Sequence, residues 1–322
     1  MLSTGIALGS VTTFVPLLLI SIITTLNPSA GDVSPFLPIE QAMLSNSVTA
    51  DQRTSLFAGY NLIGSLVGAL GALCAGLPVL IARTLDAADQ TGRQSAFVFY
   101  GLAGLLSLIL YSQLPRAPLS NTAPLRRALS PRSRKTVLTL SALFSLDSFG
   151  GGFATQAIFA LWMLGRFDMS IESLGALFFG AGIISAFSSL IAVRISQRIG
   201  LVKTMVFTHI PASVLLILVA LAPHVSIAIA LFLVRAFLSQ MDVPVRTSYV
   251  MAVVQPEERA AAASITNVPR SLASALPPLA AGWMLDQTTF AWPLLICAAC
   301  KIIYDLLLLK MFTDVAPDNS TD

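Results

Sequence analysis

Long apolar stretches broken by short polar turns leave this chain few ways to fold. They run near 20–48, 54–82, 94–115, 137–163, 170–193, 201–222, 226–254, 260–285 and 290–312, with a shorter apolar piece at 1–16. A helix needs about 20 apolar residues to cross the hydrocarbon core of a bilayer. In that medium every backbone N–H and C=O must be paired within a helix or a closed barrel. About nine stretches of this length predict an all-α polytopic membrane protein. Composition agrees, since 55% of the 322 residues are hydrophobic and only 11% are charged, unlike a soluble domain.

Few function classes fit such a chain. The net charge of +3 implies no nucleic-acid partner; what matters is where the few cations fall. Cys297 and Cys300 form a C-x-x-C inside "LLICAACKII", with no second ligand pair and no strand-to-helix turn, so they read as small helix-packing residues. No H-E-x-x-H, G-x-S-x-G or phosphate-binding loop is present, so no enzyme, metal or cofactor is expected. The first residues, "MLSTGIALGS", lack the basic start of a signal peptide.

The segment "PRAPLSNTAPLRRALSPRSRK" carries Arg116, Arg126, Arg127, Arg132, Arg134 and Lys135 and no acid, which places it on the cytoplasmic side. Alternation then puts the Arg194–Lys203 turn and "QPEER" (255–259) inside and the C-terminal tail in the cytoplasm, in a cytoplasmic membrane.

A constant offset of 206 residues lays "FLPIEQAMLSNSVTADQRTSLFAGYNLIGSL" (36–66) over "DVPVRTSYVMAVVQPEERAAAASITNVPRSL" (242–272) without a gap. Pro38 meets Pro244, Arg53 meets Arg259 and Asn61 meets Asn267. Both segments run from outside through a long span, across a charged turn and into a second span, as expected of a parallel repeat. "RISQRIGLVKTM" (194–205) is similar to G-x-x-x-D-R-x-G-R-R, keeping Arg198 and Gly200 but with Gln197 for the aspartate. "GSLVGALGALCAG" (64–76) is loosely like the glycine-rich fifth helix of drug antiporters. On these features the chain resembles the major facilitator superfamily, whose two helical halves are parallel repeats.

The resemblance implies a two-bundle fold: a partial N-terminal bundle at 1–115 (equivalents of helices 3 to 6), a basic linker at 116–136, a six-helix bundle at 137–312 and a tail at 313–322. By comparison with the second half, roughly 60 to 70 residues of the first are missing, so an N-terminally truncated chain is expected. The implied function is alternating-access transport of a small organic solute in a lipid bilayer, by proton-coupled efflux. The alternative is a truncated, non-transporting membrane protein that is inert or serves as an interaction partner.

Charge within spans costs from about 2.5 kcal/mol upward and marks cavities or partners. Such positions are Asp32, Glu40, Asp147, Arg235, Asp242, Arg246, Arg270, Lys301 and Asp305. Asp242 with Arg246, and Lys301 with Asp305, sit four apart and could pair on one helix face. Glu40 and Arg246 are repeat equivalents of opposite charge that could pair across the halves, and Pro244 should loosen the 226–254 helix.

Asn267 and Arg270 share a face suited to an anionic or hydrogen-bonding solute, unless Arg270 pairs with Asp242 or Asp147. Asp147, beside Gly150, Gly151 and Gly152 where a helix can bend, and Glu40 are the expected proton-coupling acids. Gln156 and Tyr249 are possible cavity hydrogen-bonders. Asp51 and Arg53, with Glu257, Glu258 and Arg259, occupy equivalent cytoplasmic turns and read as gate residues, together with Arg198 and Gly200.

Overall fold

The computed structural model describes residues 1–23, 37–74, 77–113 and 129–313. Among these residues every regular element is a helix. In chain order they are α1 (Leu2–Ser10), α2 (Phe14–Ile23), α3 (Leu37–Asn46), α4 (Arg53–Cys74), α5 (Leu77–Thr84) and α6 (Asp89–Ser112). There follow α7 (Pro131–Gly152), α8 (Gln156–Phe167), α9 (Ile171–Ile199), α10 (Leu201–Ala220), α11 (Val225–Ser239) and α12 (Asp242–Ala252). A 3₁₀ turn at Pro256–Glu258 leads into α13 (Arg259–Ala275), α14 (Pro277–Gln287) and α15 (Trp292–Phe312).

Six stretches among the described residues are long and apolar enough to cross a membrane: Arg53–Gly71, Gln90–Leu110, Ser133–Phe167, Ser173–Ile199, Leu201–Ala220 and Val225–Ala252. Asp32 and much of the expected first span lie outside the described residues, as do most of the basic linker and the tail beyond Thr313.

The chain forms two compact units, Met1–Ser34 with Gly71–Pro124, and Pro35–Leu70 with Leu125–Asp322. In the first, α1 and α5 pack on α6. Gly5 makes the α1 contact possible, since a Cβ there would fall 2.5 Å from the Phe97 carbonyl oxygen and 2.6 Å from the Gly101 Cα. Small residues that let backbones approach are how helices associate in lipid, where apolar burial offers no drive.

In the second unit α7 packs along α13 and α15, α10 along α15, α11 and α12, and α3 along α13. Two apolar cores result. One gathers Phe144, Met205, Val245, Tyr249, Tyr304 and Leu308; the other gathers Phe159, Trp162, Leu216, Phe232, Leu294 and Cys297. On each of α7, α10 and α15 an ionisable side chain lies between the two cores: Asp147, His209 and Lys301.

Several of the expected continuous spans are interrupted. α7 stops at Gly152 and Thr155 caps α8, its hydroxyl accepting the Ile158 N–H at 3.3 Å. α13 ends before the Pro277–Pro278 pair. The 226–254 span breaks at Gln240–Met241, so Pro244 does not loosen a continuous helix. It sits in the first turn of α12, where a missing N–H costs nothing.

The three glycines of α7 act mainly by closeness. A Cβ at Gly150 would lie 2.6 Å from the Cys300 Cβ, and one at Gly152 would lie 2.7 Å from the Ser274 carbonyl oxygen. Their absence lets α15 and the α13–α14 junction close on α7. Gly150→Val is therefore expected to push α15 away at a cost of about 1–3 kcal/mol. The check is the midpoint of thermal unfolding in detergent, with Gly165→Val, at a site open to space, as the control.

Candidate functional site

Asp147 is the hub of the polar layer. Its Oδ1 accepts from Lys301 Nζ at 2.7 Å and its Oδ2 from Arg246 Nη1 at 3.1 Å. The first contact depends on the close α7–α15 approach at Gly150; the second depends on the break before α12, which turns Arg246 inward. Arg246 also meets Asp242 at 3.4 Å, as the four-residue spacing predicts, and lies over the Phe144 ring, 5.5 Å from its centroid. Asp147, Asp242 and Arg246 are all buried.

Lys301 and Asp305 do not neutralise each other. Lys301 turns to Asp147, and Asp305 takes the His209 Nδ1 at 2.9 Å. The reason is that α15 is wedged between α7 and α10, and its polar side chains find partners on the two neighbours. His209 Nε2 lies 3.3 Å from Lys301 Nζ. An ammonium only donates, so this nitrogen accepts, Nδ1 carries the proton given to Asp305, and the ring is neutral.

Arg270 does not pair with Asp147 or Asp242; its Nε donates to Ser148 Oγ at 2.8 Å. Asn267 Nδ2 donates to Gln41 Oε1 at 3.1 Å. Arg246, Asn267, Arg270, Gln41 and Phe144 line one small pocket. Asp147, Asp242, Arg246, Asn267 and Arg270 are thus gathered in or beside one site.

Other candidates lie elsewhere. Glu40 accepts from the Tyr60 hydroxyl at 3.0 Å, while Arg246 is held by the two aspartates. Gln156 is exposed at the first residue of α8. Tyr249 is buried edge-on to Phe312, with no partner for its hydroxyl among the described residues. Sequence reasoning missed His209 and Ser148, and it took Lys301 and Asp305 as partners of each other, where they pair with Asp147 and His209; the one signal for His209 was an ionisable group inside an apolar run.

The candidate gate residues form a second group. Glu258 is buried, and its Oε1 accepts the Ser130 backbone N–H at 2.6 Å, at the start of α7. Arg259 Nε donates to the Met251 carbonyl at 3.2 Å, and its Nη1 reaches the Ser45 carbonyl at 3.4 Å and the Asn46 side chain. Burial and the nearby Arg53 charge push the Arg259 pKa down to about 10, so it stays cationic near neutral pH. Asp51 and Glu257 are exposed, and the Arg53 Nε has no partner among the described residues. Gly200, at φ +87°, makes the tight α9–α10 turn in a region that suits glycine, with Arg198 in the last turn of α9.

For Glu258, burial alone would raise the pKa, but hydrogen bonds from Ser133 and Ser130 outweigh it and hold the value below the ordinary 4.5. A depressed carboxylate stabilises the fold above its unfolded pKa and loses that effect as pH falls through the folded value. The N-terminal turn of α7 should therefore loosen as pH falls below the ordinary glutamate value of 4.5. Hydrogen exchange at the Ser133 and Arg134 amides reads this, and Glu258→Gln should exchange at neutral pH as the parent does in acid.

The family model described as Major Facilitator Superfamily matches residues 141–322, more than half of the chain. The chain belongs to the Major Facilitator Superfamily. The matched region contains Asp147, Arg246 and Lys301. This superfamily member is 27% identical to the uncharacterised membrane protein YJR124C of Saccharomyces cerevisiae over 98% of its own length and 78% of that protein's. Its fold is similar to the human organic anion transporter MFSD10, with a TM-score of 0.69 at 18% identity over 95% of this chain and 74% of the other. It is also similar to the proton:xylose symporter XylE, with a TM-score of 0.60 at 16% identity over 85% and 66% of the two chains. The superfamily's apolar helices make this an integral membrane protein of a transporter fold.

Proposed function

We propose that the chain is a secondary active transporter that moves a small organic solute by alternating access, coupled to a proton carried by Asp147. The observation that carries this reading is a buried carboxylate held by two cations from two other helices, in the layer between the apolar cores. A proton on Asp147 releases Arg246 and Lys301 together, and those side chains hold α12 and α15 against α7. One protonation thus bears on three helices at once. Glu258 and Arg259 act as latches that close one end, the end taken as cytoplasmic. The membrane is taken to be the cytoplasmic membrane, with the C-terminus inside.

Efflux, the direction expected from the sequence, rests on the resemblance to drug antiporters and is part of this reading. The test uses energised vesicles containing the chain and a pH dye. Solute-dependent proton movement that Asp147→Asn abolishes supports the reading. Its absence with every solute added would favour the second reading, a non-transporting membrane protein.

A further inference from the structure

We infer that the solute is a small organic monoanion, that its carboxylate is held by the outer end of the Arg270 guanidinium, and that it occupies the pocket together with a proton on Asp147. The inference rests on the transport reading above and names its substrate class.

Arg270 is a cation without a counter-ion. Among the described residues no carboxylate lies within ion-pair distance of it, and its only hydrogen bond runs from Nε to Ser148. Its two terminal nitrogens are left to the pocket, which also exposes Arg246, Asn267, Gln41, Phe144 and Val250. Two guanidiniums on one pocket repel each other, and Arg246 already has two aspartates while Arg270 has none. A planar guanidinium with both terminal nitrogens free matches a carboxylate bidentately. A neutral polyol would leave that charge unmatched. Phe144 and Val250 give an organic body an apolar surface, and the Asn267–Gln41 amide pair offers it hydrogen bonds.

Charge balance supplies the coupling. Asp147, Asp242 and Asp305 oppose Arg246, Arg270 and Lys301, and His209 is neutral by its hydrogen bonds, so the empty site sums to zero. An anion alone makes the layer net negative; an anion with one proton restores neutrality. The proton is assigned to Asp147, the acid whose neutralisation frees cations on two other helices; Asp242, which shares Arg246, is the other acid that an anion beside Arg270 competes with.

The groups facing Asp147 are His209 from α10, Asp242 and Arg246 from α12, and Arg270 from α13. α15 adds Cys297, Cys300, Lys301, Tyr304 and Asp305. α14 brings only Asp286, next to its last residue, and Glu40 of α3 is engaged by Tyr60. Proton and anion therefore favour each other's binding, which makes the coupled movement cotransport, in place of the proton-for-solute exchange that efflux by analogy with drug antiporters implies.

The test is calorimetric binding to the purified full chain, with benzoate and hexanoate as probes and benzamide, hexanamide and inorganic phosphate as comparators. The carboxylates should bind roughly tenfold or more tighter than their amides. Their affinity should fall by up to about tenfold for each unit of rising pH, a dependence that Asp147→Asn should remove. Arg270→Gln should lose carboxylate binding and Arg270→Lys should keep part of it, with thermal unfolding confirming that both fold.

Amides binding as well as carboxylates, phosphate binding better than both, no carboxylate binding, or full binding by Arg270→Gln would each overturn the substrate class. Carboxylate binding that ignores pH would overturn the joint binding of anion and proton. If the carboxylates bind as expected but vesicles move neither solute nor protons, the transport reading fails and the anion site stands.

Discussion

Replacing Asp147 by alanine is expected to destabilise the protein by about 3–5 kcal/mol, because two buried cations lose their shared counter-charge at once. The side chain is 6% exposed, so water cannot replace the carboxylate. Thermal unfolding in a fixed detergent measures the loss. Asp147→Asn removes the same charge but keeps the shape and one acceptor oxygen, so it should cost somewhat less, and it imitates the protonated state. It should bind solute with no pH dependence and move no protons. A variant as stable as the parent after Asp147→Ala would mean that Lys301 and Arg246 have other means of neutralisation.

Arg246→Leu should be comparably severe, about 3–5 kcal/mol, because Asp242 loses its only ion-pair partner among the described residues and Asp147 keeps Lys301 alone. The double change Asp242→Leu with Arg246→Leu removes the stranded acid along with the cation and should recover part of the loss. The interaction term of this cycle should exceed about 1 kcal/mol, as for residues in one buried network. Additive effects would show that the pair is not energetically coupled. Solute-driven proton movement should be lost in the single variant and in the double, since both leave the pocket without one of its two guanidiniums.

The fold was legible in the sequence because hydropathy acts residue by residue along a helix: the apolar stretches from 170 onward match α9, α10, α11 with α12, α13 with α14, and α15 closely. The interruptions were not, because they depend on neighbours. "GGG" signals a weak point, yet only the packed chain shows that Cys300 and Ser274 sit against Gly150 and Gly152. The site was half legible. Asp242 with Arg246 follows from helical spacing within one segment.

Lys301 with Asp147 and Asp305 with His209 join residues on different helices, and no local rule chooses those partners over the equally spaced Lys301–Asp305 pair. Arg270, expected to face a cavity, lines the small pocket, but its lack of a carboxylate partner among the described residues is a property of the assembled layer alone.

The central claim is that Asp147 gains a proton when an anion enters the pocket, and proton uptake on binding tests it most directly. Purified protein in weakly buffered solution is titrated with benzoate while the pH is followed. The account predicts uptake approaching one proton per anion bound when Asp147 starts ionised, and none for Asp147→Asn at matched occupancy. Binding without proton uptake near neutral pH, or the same uptake by Asp147→Asn, would contradict it.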